Sequence, residues 1–290
     1  MAGFFRRMAA LLGINPASPS YGYDTDSSGQ NLAPLASANL PALIPPKPTL
    51  PHGVRLYAIG DIHGRLDLLH VLLESIEKDM ATLPAGYDSG LIFLGDYIDR
   101  GAASYGVIDH LLAGQLPGTR APIFLRGNHE QAMLQFLEDV SIGPLWLQHG
   151  GREALMSYGV VPPVGQLRPE HLPGLQEQLN AKLPASHRNF LNDSQLYYEE
   201  GDYLFVHAGV RPGLPFLQQH PHDLMNIREP FLSTPHHCGK LVVHGHSIDM
   251  EVRKTPYRIG IDTGAYASGI LTALVLEGPQ QRTLQTISFA

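Results

Sequence analysis

The chain has 290 residues, of which 43% are hydrophobic and 16% charged, and a net charge of −7. This is enough apolar material for a sizeable core and excludes wholesale disorder, while the acidic balance excludes a protein that grips nucleic acid through a broad basic face. Cys238 is the only cysteine, so no disulfide forms within the chain, as suits a reducing cytoplasm; 15 histidines point toward metal chemistry.

The first stretch, "MAGFFRRMAALLGINP", holds a short apolar run, Met8 to Ile14, that ends at Pro16 with no small-residue cleavage site after it. It is not read as a secretory signal, and no other stretch is long and apolar enough for a bilayer, so no stable membrane insertion is expected. Residues 16–52 are rich in Pro, Ser, Ala, Asn and Gly and close on "PALIPPKPTLP". The expected organisation is a disordered leader over 1–52 and a single folded domain over 53–290.

From Val54 onward, apolar runs of strand length keep ending in polar clusters. "VRLYAIG" leads to Asp61 and His63, "LIFLG" to Asp96 and Asp99, and "APIFLRG" to Asn128, His129 and Glu130. "YLFVH" ends at His207, "LVVHG" leads to His246, and "RIGIDTG" and "ILTALVLE" follow. These runs predict strands buried on both faces. Between the early runs, Leu69, Leu72, Leu73, Ile76 and Met80 have helical spacing, as do Tyr105, Ile108, Leu111 and Leu112, and Met133, Phe136, Leu137 and Val140. Strand–loop–helix alternation predicts an α/β fold whose site forms at the carboxyl ends of the strands. Residues 143–200 break the rhythm and read as an inserted helical cap.

One Asp-x-His pair alone is an ordinary turn, and "GNHE" alone is a helix start with Asn128 as cap and Glu130 matched to the helix dipole. Five strands in turn ending in metal-ligating residue types, with glycines beside them, are not explained that way. His220, His222, His236 and His237 lie in polar or Pro-rich stretches and read as solvated.

"GDIHG", "GDYIDRG", "RGNHE", "HAG" and "GHS" together resemble the calcineurin-like metallophosphoesterases, and within them the bacterial PPP-type serine/threonine protein phosphatases. "LWLQHGGREALMSYG", "MNIREPFL" and "IDTGAYASGILTAL" are similar to bacterial members, so the resemblance covers about residues 54–276. It implies a β-sandwich of mixed sheets flanked by helices. It also implies two divalent metal ions, with Asp61 and His63 on the first, Asp96 bridging, and Asn128, His207 and His246 mainly on the second. This donor mixture suits Mn2+, with Fe or Zn2+ as alternatives, better than it suits Mg2+, which prefers an all-oxygen site.

Two close divalent cations would make hydroxide available and neutralise the phosphate, giving direct attack without a phosphoenzyme. In the implied roles, His129 is the general acid, Asp99 orients it and raises its pKa, and Arg100 and Arg228 hold phosphate oxygens. His246 is preferred to His244 as the ligand; His244 reads as a core histidine. Asp262 is expected to orient a ligand from behind, and Tyr266 is given no role. The expected substrate is phosphoserine or phosphothreonine in a phosphoprotein or phosphopeptide, with a small molecule such as a dinucleoside polyphosphate as the alternative. Ile248 stands where nuclease-like relatives carry a further histidine, which disfavours a nuclease.

Overall fold

All seven apolar runs form strands, and they assemble into two sheets. The computed structural model describes residues 47–286 except Gln115, Gln166, His236 and His237. The expected leader through Pro46, and the solvated reading of His236 and His237, lie outside the described residues.

In the first sheet the order is β10 (Gln280–Gln285), β9 (Thr272–Glu277), β1 (Val54–Ile59), β2 (Asp88–Phe93), β3 (Ile123–Phe124). In the second it is β4 (Tyr197–Glu200), β5 (Tyr203–Val206), β6 (Leu241–His244), β8 (Arg258–Gly260), β7 (Arg253–Lys254). Three neighbouring strands of each sheet run parallel: β1, β2 and β3 in one, β5, β6 and β8 in the other. Register aligns their carboxyl ends, Ile59 with Phe93 and Phe93 with Phe124, then Phe205 with Val243 and Val243 with Ile259. The loops that follow these strands therefore emerge together.

Alternate residues of β1 and β2 serve two cores. Leu56, Ala58, Ile92 and Leu94 face Tyr203, Phe205, Val243 and Ile259 between the sheets. Tyr57, Ile59, Leu91 and Phe93 pack instead with helices α1 (Leu66–Met80), α2 (Ser104–Ala113) and α3 (Asn128–Glu138). All three predicted helices are present. The stripe on α2 is shifted, however: Tyr105 and Leu112 are exposed, and Val107 joins Ile108 and Leu111 inside.

The three strands that were not foreseen, β4, β7 and β10, are all edge strands. Edges carry polar residues and so leave no apolar run to read; β10, "QQRTLQ", is mostly exposed. Because Tyr197–Glu200 is β4, the helical cap ends near Asp193 rather than at residue 200. It contains α4 (Gly143–Trp146), a π turn at Leu147–Gly151, α5 (Arg152–Ser157), α6 (Leu172–Lys182) and α7 (Ala185–Asp193). Among the described residues no helix is long and apolar enough to cross a membrane.

The packed body begins before residue 53. Leu50 is buried, its amide donates to the carbonyl of Gly278, and Thr49 and Asp202 exchange hydrogen bonds. A chain starting at Thr49 is expected to hydrolyse an aryl phosphate at the full-length rate. One starting at Gly53 should be destabilised by about 2–4 kcal/mol through loss of the Leu50 side chain and these bonds, lowering Tm by roughly 5–10 °C in a thermal melt. Equal melting of the two truncations would show that Leu50 contributes nothing.

Candidate metal centre

The loops after β1, β2, β3, β5, β6 and β8 converge, and they do so in a backbone conformation that side chains normally avoid. Among the described residues, the non-glycine residues with positive φ are His63, Asp96, Asp99, Arg100 and His246. Strain of this kind is held by surrounding structure and clusters at functional sites. Gly127 shows how close the loops lie: a Cβ there would stand 2.1 Å from Asp96 Oδ1.

Asp96 lies at the centre. Its Oδ2 is 3.5 Å from His63 Nε2, and its Oδ1 is 3.5 Å from His207 Nε2. Each carboxylate oxygen thus faces a different imidazole, as a bridging ligand requires. Ligand atoms of His63, Asp96 and His129 lie within 4.8 Å of one another, and so do those of Asp96, His207 and His246. Asn128 Oδ1 joins the second group, 3.1 Å from His207 Nε2.

The tautomers are set from behind. His63 Nδ1 sits 2.8 Å from the Ile98 carbonyl and His207 Nδ1 2.8 Å from that of Leu94. Both Nε2 atoms are left aimed inward as lone pairs. His63 Nε2 is buried without a hydrogen-bond partner. A buried orphan acceptor surrounded by carboxylates fits a cation.

Electrostatics agree. Burial pushes the Asp61 carboxyl well above its usual range, with the Asp262 and Asp96 charges adding to the effect, and burial also raises Asp96. Burial lowers His63, brings His207 down to about 4 and lowers His246 to about 2. Neutral imidazoles are ligands, and crowded carboxylates are relieved by a cation.

Some placements differ from expectation. Asp61 stands beside the two groups, its Oδ2 taken by the His246 amide at 2.9 Å, and His129 enters the first group where Asp61 was expected. His129 Nδ1 is 2.6 Å from Asp99 Oδ2, as the orienting role requires. Burial nevertheless lowers the His129 pKa despite its carboxylate neighbours, contrary to the expected rise. Its Nε2 lies 3.1 Å from Arg100 Nη2, so in this state Nε2 accepts and Nδ1 carries the hydrogen. Arg228 is exposed at the rim and donates to the His246 carbonyl at 3.0 Å. His244 is buried with its Nε2 3.2 Å from Arg258 Nη1, as a core histidine. Asp262 caps the Gly264 amide through Oδ1, while its Oδ2 is buried without a partner beside the site.

Two residues were missed. Glu130, read as a helix-dipole match, accepts from the amides of Asp96, Tyr97 and Gly127 at 2.8 Å each. It pins the bridging loop to α3, and burial raises it to about 7. Trp146, from the cap, donates Nε1 to Asp99 Oδ2 at 2.8 Å. The capping-box spacing of Glu130 was a signal for the first; nothing local marks the second.

The family model for calcineurin-like phosphoesterases matches residues 54–250. Among curated relatives, bis(5'-nucleosyl)-tetraphosphatase PrpE [asymmetrical] of Anoxybacillus flavithermus is 26% identical over 239 residues, covering 74% of this chain and 88% of the relative. The protein of the same name from Halalkalibacterium halodurans is 24% identical over 236 residues, covering 74% and 87%. Among solved structures, a candidate diadenosine tetraphosphatase superposes with a TM-score of 0.56 at 19% identity over 86% of this chain and 99% of that one. A mutant cold-active protein tyrosine phosphatase gives 0.51 at 18% identity over 86% and 85%. These two show the fold.

Proposed function

This chain belongs to the calcineurin-like phosphoesterase family, and from that premise we propose that it is a metal-dependent hydrolase of dinucleoside polyphosphates. The observation that carries the substrate class is the shared name of the curated relatives, which align over most of their own length. The sequence-based first expectation, a phosphoserine or phosphothreonine protein, becomes the second reading.

Two bound divalent ions, with Mn2+ favoured by the mixed N and O donors, would activate water and neutralise phosphate oxygens. The chain's own residues do the rest. Asp96 fixes the spacing of the two halves of the centre, with Asp61, His63, Asn128, His207 and His246 around it. Arg100 and Arg228 present guanidinium forks to the phosphate. His129, held by Asp99 at 2.6 Å, is the group proposed to give a proton to the leaving oxygen. The lone cysteine and a nucleotide substrate suit the cytoplasm.

The second reading is favoured by the short His129–Asp99 contact of 2.6 Å, because a held imidazole serves a poor alkoxide leaving group best. One panel separates them: diadenosine tetraphosphate beside phosphoserine, phosphothreonine and phosphotyrosine peptides, with purified protein and Mn2+. The expected result is cleavage of the dinucleotide by water into ATP and AMP, at a kcat/KM roughly tenfold or more above any peptide. Turnover of a phosphoserine peptide with no dinucleotide cleavage would replace the first reading by the second.

A further inference from the structure

An open cleft of about 440 Å³ lies between the Arg100 and Tyr266 loops and the cap, a volume within the range of small-molecule sites. Arg100 and Tyr266 line it from the catalytic loops, and His149, Arg152 and Glu153 line it from the cap. At the Arg100 end, the Tyr266 ring lies 4.7 Å under the Arg100 guanidinium and meets His63 edge-on at 5.5 Å.

The cap end is held through the backbone. The Arg100 amide donates to the carbonyl of Gly150 at 3.1 Å. Gly150 has a φ of +109°, and a Cβ there would lie 2.6 Å from Arg100 N, so only glycine allows the approach. The π turn at Leu147–Gly151 thus seats the cap directly against the phosphate-binding loop. Arg152 opens the next helix, and one nitrogen of its guanidinium, Nη1, donates to the Pro163 carbonyl at 3.2 Å, which fixes the head of the side chain at the cleft wall.

A single phosphate at the metal centre is served by Arg100 and Arg228. The Arg152 guanidinium lines the same cleft as Arg100, and a monophosphate held by Arg100 and Arg228 makes no use of it. It matches a second anionic group on the far side of the scissile bond. We infer that this cleft binds the phosphates on the leaving-group side of a phosphoanhydride, with Arg152 as the specificity-determining residue that reads a chain of phosphates rather than one. The inference rests on the dinucleoside polyphosphate reading. Glu153 lines the same cleft with the opposite sign and must weaken the anion's hold.

The test compares kcat/KM for diadenosine tetraphosphate and for p-nitrophenyl phosphate, with metal content measured throughout. Arg152→Gln is expected to lower the dinucleotide-to-aryl ratio by roughly tenfold or more, mainly through KM, as loss of a charge-assisted contact implies. Arg152→Lys should lower it less, and Glu153→Gln should raise it. Equal losses on both substrates in Arg152→Gln would overturn the inference. Should the wild type leave the dinucleotide uncut, the substrate reading fails, and the cleft is tested by inhibition of aryl phosphate hydrolysis. Weaker inhibition of Arg152→Gln by tripolyphosphate, with inhibition by inorganic phosphate retained, then supports the cleft; identical inhibition of variant and wild type by tripolyphosphate overturns it.

Discussion

Asp96→Asn is expected to strip the metal centre and reduce hydrolysis by roughly 10³-fold or more on every substrate, since bound metal supplies the activated water. Among the described residues, Asp96 is the carboxylate whose two oxygens face two different imidazoles, each at 3.5 Å. Asparagine keeps the shape but loses the charge and one oxygen donor. The fold should survive, because Glu130 holds the Asp96 amide and asparagine tolerates the positive φ of 52° better than most residues. The metal-free variant should melt no lower than metal-free wild type, since one of three crowded buried carboxylates, Asp61, Asp96 and Asp262, has lost its charge. Added Mn2+ should raise the Tm of the wild type, by linkage worth about 2.7 kcal/mol at a hundredfold excess over Kd, and leave the variant nearly unmoved. Elemental analysis gives the metal content. Full turnover by a metal-depleted Asp96→Asn protein would sink the bridging role.

The parallel strands and the residues at their carboxyl ends were legible because both obey a short-range rule. A strand buried on two faces needs an uninterrupted apolar run, and a ligand must follow it within a few residues. Edge strands β4, β7 and β10 obey no such rule. Nor did position along the chain reveal that Leu50 docks on the sheet, since one apolar residue between prolines looks the same bound or free. Substrate class was the least legible feature. The ligand and phosphate-binding roles expected of "GDYIDRG" and "RGNHE" are indifferent to what a phosphate is attached to. The side chains that line the cleft beside Arg100, such as Arg152 and Tyr266, come from the cap and from the loop after β8. They meet across the fold, with no spacing in sequence to announce it. Trp146 was hidden for the same reason: its partner Asp99 is 47 positions away.

His129→Asn is expected to produce a defect that scales with the basicity of the leaving group. A serine alkoxide must be protonated as its bond to phosphorus breaks, so phosphoserine-peptide hydrolysis should fall by roughly 10²–10⁴-fold, the range of general acid catalysis. A nitrophenolate leaves unaided, and p-nitrophenyl phosphate should suffer little. A nucleotide phosphate is a weak base, with a second pKa of about 6, so diadenosine tetraphosphate should suffer as little as the aryl phosphate. In the structure His129 Nε2 accepts from Arg100 Nη2 at 3.1 Å, so the acid role requires that Arg100 turn its fork to the phosphate and free Nε2. Arg100→Ala should therefore impair all three substrates through phosphate binding, without the same ordering. Asp99→Asn and Trp146→Phe should reproduce the His129 ordering more weakly, because Asp99 Oδ2 holds the imidazole at 2.6 Å and Trp146 Nε1 holds that same oxygen at 2.8 Å. Metal content decides the alternative in which His129 is a ligand, since its Nε2 also lies 3.9 Å from Asp96 Oδ2. Loss of metal with equal defects on all substrates would assign His129 to the metal centre; retained metal with equal defects would assign it to phosphate binding. Only retained metal with the graded defect leaves it as the acid, and the place of the dinucleotide in that grading shows how much of the acid's work its own leaving group requires.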